Sequence, residues 1–415
     1  MAEHASAIGR EGDPPVLRPV ADAEHRVLIA DRHCYSSHPH CVAADGELLV
    51  VFSQSVRRPV VHHPLSDPLF RNLTIRSADS GRTWQAPRAA PGYDWSGVEC
   101  AGLTALGGGV VVLNQWKFRW YTPEQGAVVS DGEPVTPAGE FSAYQALATG
   151  SGETWWRGGG TTYLHRSADG GRTWPQTIVI DTAPFSGGYG IRGAVRLPDS
   201  DLLLALSDVP AYRVVFTVRS ADQGLTWAPP VIAADVPGRF FEEPALTVLP
   251  DQMLLMLLRE SVTGRLYRIR SSDGGATWEL PVDTGITGCP PHLLVLTDGR
   301  VLCSYGYRSF PFEIRAAISA DGGATWEREH LVIASELGSR DIGYPSTVLV
   351  PGGLLCVYYG QLFDGTPAIL ATRFGLPGLP NGQSTIYRVA HAPAGPPTWP
   401  VQGSADGQDQ GRWCR

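Results

Sequence analysis

One octapeptide pattern, S-x-D-x-G-x-T-W, occurs five times in this chain: SADSGRTW (77–84), SADGGRTW (167–174), SADQGLTW (220–227), SSDGGATW (271–278) and SADGGATW (319–326). Its aspartates, Asp79, Asp169, Asp222, Asp273 and Asp321, are spaced by 90, 53, 51 and 48 residues. A long chain with such an internal repeat is built from stacked copies of one small unit. The box itself reads as a hairpin turn. A short carboxylate can accept backbone N–H groups across the turn, and glycine supplies the positive φ that the turn requires. The threonine hydroxyl can bond back locally, and tryptophan offers a large rigid plate to fill the space between neighbouring sheets. The box aspartates and tryptophans are therefore read as structural rather than catalytic.

A second element recurs upstream of the boxes, a turn followed by an apolar strand: DGELLVVFS (45–53), GGGVVVLNQ (107–115), DSDLLLALS (199–207), DQMLLMLL (251–258), DGRVLCSYG (298–306) and GGLLCVYYG (352–360). That makes six units of about 45–50 residues, the length of a propeller blade. The sixth adds AILATRF (368–374) but has no box. The expected fold is thus all-β, a six-bladed β-propeller over residues 26–377, with an N-terminal extension (1–25) and a C-terminal tail (378–415). RVLIA (26–30) is expected to pair with the last blade and close the ring, which removes the sheet edges. The long first interval predicts an insertion at roughly 121–157.

Composition agrees with a turn-rich globular chain: of 415 residues 48 are Gly and 34 Pro, 43% are hydrophobic and 18% charged. A net charge of −8 gives no support to nucleic-acid binding. Lys117 is the only lysine, so the positive charge is carried by arginine, the side chain that grips carboxylates in a planar fork. The seven cysteines include no C-x-x-C pair, and no zinc site is predicted. No apolar run is long enough for a membrane span. The polar, acidic first 25 residues lack the pattern of a secretory signal, so the expected location is cytoplasmic, a trimmed leader aside.

In a propeller the innermost strand of each blade starts near the axis on one face, where side chains converge. The segments preceding the six turns are SSHPHCVAADG (36–46), GVECAGLTALG (97–107), GYGIRGAVRLPD (188–199), FEEPALTVLPD (241–251), GCPPHLLVLTDG (288–299) and DIGYPSTVLVPGG (341–353). They bring His38, His40, Glu99, Tyr189, Arg192, Glu242, Glu243, His292, Asp341 and Tyr344 to one mouth. That concentration of ionisable groups marks a candidate site.

The repeated boxes on a six-unit β chain resemble the Asp boxes of the sialidase (neuraminidase) superfamily, over about residues 26–375. The resemblance implies a retaining glycosidase with a Tyr nucleophile activated by a Glu, an Asp as general acid/base and three arginines holding the sugar carboxylate. A neutral nucleophile suits a reacting centre that itself carries a carboxylate. Tyr344, in GYPSTVLVPGG, is similar to the family's nucleophile strand. Glu243 resembles the glutamate of its Asn-Glu segment, with Arg259 in the place of the second clamp arginine. Asp67, ten residues before the first box, is similar to the acid/base Asp. Either Arg308 or Arg315 takes the place of the third arginine. The first arginine has no counterpart: the family's Arg-Ile-Pro reads Ser37-His38-Pro39-His40 here. Either the clamp is rebuilt, with Arg192, Arg57 or Arg58 as spare guanidiniums, or the substrate is not a sialic acid.

The resemblance implies hydrolysis of an acidic oligosaccharide or glycoconjugate of the exo-α-sialidase type, without a cofactor. The catalytic set would be Tyr344, Glu243 and Asp67. The substrate-binding set would be Arg259, Arg308, Arg315, His38, His40, Arg192, His292 and Glu99. Two other readings remain open on the same propeller: a uronate-active lyase with His38 or His292 as base, and a glycan-binding protein without catalysis.

Overall fold

A computed structural model of the protein describes residues 14–57, 69–91, 96–98, 100–126, 128, 133–134, 156–209 and 211–376. The chain forms a six-bladed β-propeller. Blade 1 runs through Cys34–Ala44, Glu47–Val56, Arg71–Ser77 and Arg88–Ala89, each strand antiparallel to the next. Blades 2 to 5 repeat this meander in chain order. Blade 6 takes three strands from Gly343–Val350, Gly353–Gln361 and Pro367–Phe374. Its fourth strand is Glu24–Ala30, which runs from Glu24 opposite Arg373 to Ala30 opposite Ala368. The ring is closed as the sequence predicts, with Glu24–Ala30 covering the outer side of Pro367–Phe374.

The apolar runs that follow each turn form the second strands. Leu202–Asp208 and most of Leu254–Glu260 are buried, because both faces of a second strand are covered by adjacent blades. Such strands read as continuous apolar runs rather than alternating ones. The first strands touch their neighbours around the axis and carry the side chains of the mouth and the central channel.

The boxes join the third and fourth strands of blades 1 to 5. In the fourth box Ser271 Oγ donates to Asp273 Oδ1 at 2.7 Å, and Gly275 N donates to Ser271 Oγ at 2.9 Å. Thr277 N and Thr277 Oγ1 donate to the two carboxylate oxygens of Asp273 at 2.9 and 2.6 Å. Each box glycine has a positive φ and lies against a leucine of the preceding blade. A Cβ on Gly171 would come within 2.9 Å of Leu49, on Gly224 within 2.7 Å of Leu164, on Gly275 within 2.8 Å of Leu203 and on Gly323 within 2.5 Å of Leu255. Gly81 meets Leu355 of blade 6 in the same way, at 2.7 Å. The box is thus both a turn and the spacer between blades, and its tryptophans join the same interfaces.

These bonds hold the Asp273 carboxyl down to about 2, through the Thr277 hydroxyl first, then the Thr277 N–H and Ser271. A depressed carboxyl contributes stability above its ordinary pKa, near ~3.9, and that contribution is lost as pH falls through the folded value. The melting temperature is therefore expected to fall steeply between about pH 4 and pH 2. Asp273→Asn should make that acid limb shallower, as followed by thermal unfolding across pH. An unchanged limb would remove the box carboxylates as its cause.

One detail differs from the sequence reading. The N-terminal extension was expected to end at residue 25, yet Val16–Pro19 pairs in parallel with Glu329–Ala334 as a fifth strand on blade 5. The insertion leaves between the second and third strands of blade 2, after a short helix at Pro123–Gly126. Trp116 and Trp120, on the strand Val110–Tyr121 that precedes it, pack into the core, with Trp116 only 2% exposed. A Cβ at Gly160 or Gly187 would overlap the Trp116 ring, at 2.2 Å in both cases. No helix among the described residues is long and apolar enough to cross a membrane. Residues 378–415 lie outside the described residues.

Candidate active site

Three first strands share one local device. His38, Glu243 and Tyr344 each precede a proline, and each has left-handed backbone geometry, with φ of +54°, +52° and +51°. Each coincides with a break in ladder register: Ser37/His40 in blade 1, Glu242/Ala245 in blade 4 and Gly343/Ser346 in blade 6. Proline has no N–H for the ladder, so the strand bulges there. A large residue at positive φ before proline is unfavourable by about 1–3 kcal/mol. The three strained residues lie together at one end of the axis.

Tyr344 Oη donates a short hydrogen bond to Glu243 Oε1. Arg259 Nη1 donates to Glu243 Oε2 at 2.8 Å, and Arg259 Nε lies 3.4 Å from Glu242 Oε1. The Glu243 backbone N–H is tied to Ser207 Oγ at 2.8 Å. The His38 ring meets Tyr344 edge-on, with centroids 4.3 Å apart and planes at 86°, and His38 Nδ1 lies 2.7 Å from Ser37 Oγ. Tyr359 flanks both rings. Tyr359 and Tyr35 donate their hydroxyls to Asp341 Oδ1 at 2.9 and 3.1 Å.

Arg308 follows the second strand of blade 5, Val301–Tyr307. Its Nε donates to the Ile342 carbonyl at 2.9 Å, and its guanidinium carbon is 5.9 Å from the centre of the Tyr344 ring. Its two terminal nitrogens have no hydrogen-bond partner among the described residues. They are available to a ligand. Arg259, by contrast, is committed to two glutamates.

The electrostatics separate the protonation states of the pair. Burial alone would raise the Glu243 pKa, but Arg259, the Tyr344 hydroxyl and Arg308 bring it below the ordinary glutamate value. Burial, then the Glu243 charge, pushes Tyr344 well above the usual tyrosine value, against the pull of Arg259 and Arg308. The resting state is a neutral tyrosine donating to an ionised glutamate. A hydroxyl in contact with an ionised carboxylate is an arrangement from which a proton can be passed to that carboxylate.

The other sequence-derived residues divide. Arg192 is not at the mouth. It is buried beneath the pair, with Nε and Nη2 donating to the Pro291 carbonyl at 3.2 and 2.9 Å and Nη2 to the Pro345 carbonyl at 2.9 Å. It fastens blade 3 to blades 5 and 6 and cannot rebuild the clamp from there. His40 and His292 also face the channel below. The His40 Nδ1 accepts the Leu103 N–H at 2.9 Å. Arg315 is buried in blade 5, paired with Glu313 at 2.6 Å and stacked 3.5 Å over the Tyr307 ring. Arg308, not Arg315, is the arginine beside Tyr344. Arg57 is bound to the Gly365 carbonyl at 2.7 Å. Asp67, Glu99 and Arg58 lie outside the described residues.

The sequence reading missed Tyr35, Tyr359 and Ser207. A signal existed for two of them. Tyr359 and Ser207 occupy the ends of second strands, like Arg259, and are ladder partners of mouth residues: Glu242 opposite Arg259, Gly343 opposite Tyr359, Tyr189 opposite Ser207. Among the described residues no three His, Cys, Asp or Glu side chains gather as metal ligands.

A family model described as a BNR repeat-like domain matches residues 132–357, more than half of the chain. No curated protein matches it. Among solved structures, a protein of unknown function from Dyadobacter fermentans DSM 18053 is 22% identical, with a TM-score of 0.71 over 86% of this chain and 100% of that one. The intramolecular trans-sialidase from Ruminococcus gnavus is 14% identical, with a TM-score of 0.57 over 85% and 98%. The NanB sialidase from Streptococcus pneumoniae is 12% identical, with a TM-score of 0.59 over 88% and 71%. At these identities the likeness is one of fold. With its repeated boxes and six blades, the chain belongs to the BNR repeat-like domain family, and its fold is the one those sialidases share.

Proposed function

We propose that the protein is a retaining glycoside hydrolase of the sialidase type, acting on a glycan that ends in an acidic sugar. The observation that carries this reading is the Tyr344–Glu243–Arg259 chain with the unoccupied fork of Arg308 beside it. Arg308 takes the substrate carboxylate. Tyr344 Oη attacks the anomeric carbon while its proton passes to Glu243, and the bond to the leaving oxygen breaks as that oxygen takes a proton from an acid. Asp67 has that role by its place in the sequence. A water, deprotonated by the same carboxylate, then displaces Tyr344, which recovers its proton from Glu243.

Blade 1 presents His38 where an arginine would complete the clamp, and this bears on the sugar. A histidine lacks the planar fork. One free guanidinium in place of a full clamp suits an acidic sugar held less tightly, such as a uronate.

The test is release of fluorophore from a sialic-acid ketoside by the wild-type protein, followed by a panel of uronate oligosaccharides. Hydrolysis of either class supports the proposal and identifies the sugar. An unsaturated product absorbing in the ultraviolet would point to a lyase, and binding without cleavage of any member to a glycan-binding propeller. Arg308→Met is expected to lower kcat/KM for the acidic substrate about 10- to 150-fold, the loss of one charge-assisted contact. An unchanged kcat/KM would show that the carboxylate binds elsewhere.

A further inference from the structure

Beneath the Tyr344–Glu243 pair the axis opens into a cavity of about 320 Å³, lined by first-strand residues of all six blades: 40–43, 103–105, 192–195, 245–246, 292–294 and 347–348. Small residues, among them Ala43, Ala105, Gly193 and Ala245, keep it open. The polar side chains that line it include His40, Thr104, Arg192, His292 and Thr347. Arg192 is 6% exposed, and its Nη1 is buried with no partner among the described residues. His40 and His292 lie with ring centres 6.0 Å apart. Their Nδ1 atoms accept backbone N–H groups, from Leu103 at 2.9 Å and Thr347 at 3.4 Å. A nitrogen that accepts carries no hydrogen, so each ring bears its proton on Nε2. Neither Nε2 has a partner among the described residues. No carboxylate is among the described residues that line the cavity.

A buried guanidinium with an orphaned N–H is costly unless something satisfies it. The nearby hydroxyls do not reach it: Nη1 makes no hydrogen bond to Thr104 or Thr347, whose hydroxyls instead meet the Ala194 carbonyl at 3.2 Å and Ser304 Oγ at 2.9 Å. We propose that the central channel is an anion site, in which Arg192 Nη1, His40 Nε2 and His292 Nε2 hold a small anion that has no proton to donate, a halide. The ligand would offset the Arg192 charge and fasten the inner strands of blades 1, 3 and 5 to one point on the axis. This site is separate from the carboxylate contact proposed for Arg308, so its fate does not depend on whether the protein hydrolyses glycans.

Two measurements on the intact protein test it. Crystals soaked in sodium bromide, with data collected at the bromine edge, should show an anomalous peak in the channel within hydrogen-bonding reach of the three donors. In solution, the melting temperature should rise with chloride relative to gluconate at equal ionic strength. Arg192→Met removes two inter-blade ties and could fail to fold, so the variant to use is His292→Leu. It should weaken the chloride dependence about five- to tenfold, one hydrogen bond's worth. Bromide found only on the surface, or a channel holding only water, would overturn the proposal, as would identical melting in chloride and gluconate.

Discussion

Replacement of Tyr344 by phenylalanine is expected to reduce kcat by at least about a thousandfold while leaving the melting temperature within a few degrees. The ring would keep its edge contact with His38 and its place beside Tyr359, so packing is conserved. Only the hydroxyl is lost, and with it the hydrogen bond to Glu243. The remaining carboxylate keeps its ion pair with Arg259, which limits the effect on stability. The measurement is turnover on whichever acidic glycoside the wild type cleaves, beside a thermal melt. Full activity in the variant would exclude Tyr344 as nucleophile, and Tyr359, the next hydroxyl in the cluster, would have to be considered.

Glu243→Leu should be damaging in two separate ways. The first is chemical: without a base in contact, the tyrosine proton has no acceptor, a loss of about 10²- to 10⁴-fold in rate. The second is structural: Arg259 would lose its 2.8 Å contact and retain only Glu242. Breaking a buried pair by removing one partner typically destabilises by about 3–5 kcal/mol. Glu243 is 2% exposed, which places it in that class. The two effects can be separated with Glu243→Leu/Arg259→Met, which removes the stranded charge. The double variant is expected to recover much of the melting temperature and none of the turnover. If stability is not recovered, the pair is not what holds this part of blade 4. If turnover returns, Glu243 is not the base.

The fold was readable because its determinants are local. A box of eight residues contains its own hydrogen bonds, its own positive-φ glycine and its own interface residue, so five copies announce five hairpins wherever they are. Glu243 and Tyr344 could be singled out because they stand at strand starts, and Arg259 through the family resemblance. The errors arose where a side chain's direction depends on something other than strand alternation. His38 and His40 are two residues apart, which on a regular strand places both on one face. The bulge at Pro39 breaks the period, and the rings part, one to the mouth and one to the channel. Arg308 and Arg315 lie on either side of a turn, and only the three-dimensional path shows that Arg315 folds back onto Glu313. Arg192 looked like a spare guanidinium. Its ties to the Pro291 and Pro345 carbonyls come from blades 99 and 153 residues away, which no local pattern can reveal.

The strand that closes the ring sets the order in which this protein can be completed. Glu24–Ala30 leaves the ribosome before every blade of the propeller, yet its partner, Pro367–Phe374, is the last strand of the propeller to follow. The two are joined by more than three hundred residues, and drawing such ends together in an otherwise flexible chain costs roughly 5 kcal/mol in loop entropy. Five box-bearing blades can stack one on the next as they are made, each leaning on its predecessor. Blade 6 has no box, and the seam it shares with blade 5 is packed instead by Val20 and Val27 from the beginning of the chain. Until they dock, Ala368–Leu370 remains an unpaired apolar edge, the kind of surface that templates aggregation. The amino-terminal segment therefore works as the latch of the ring. A chain shortened past Glu24 would be made with every blade in place and nothing to lock them.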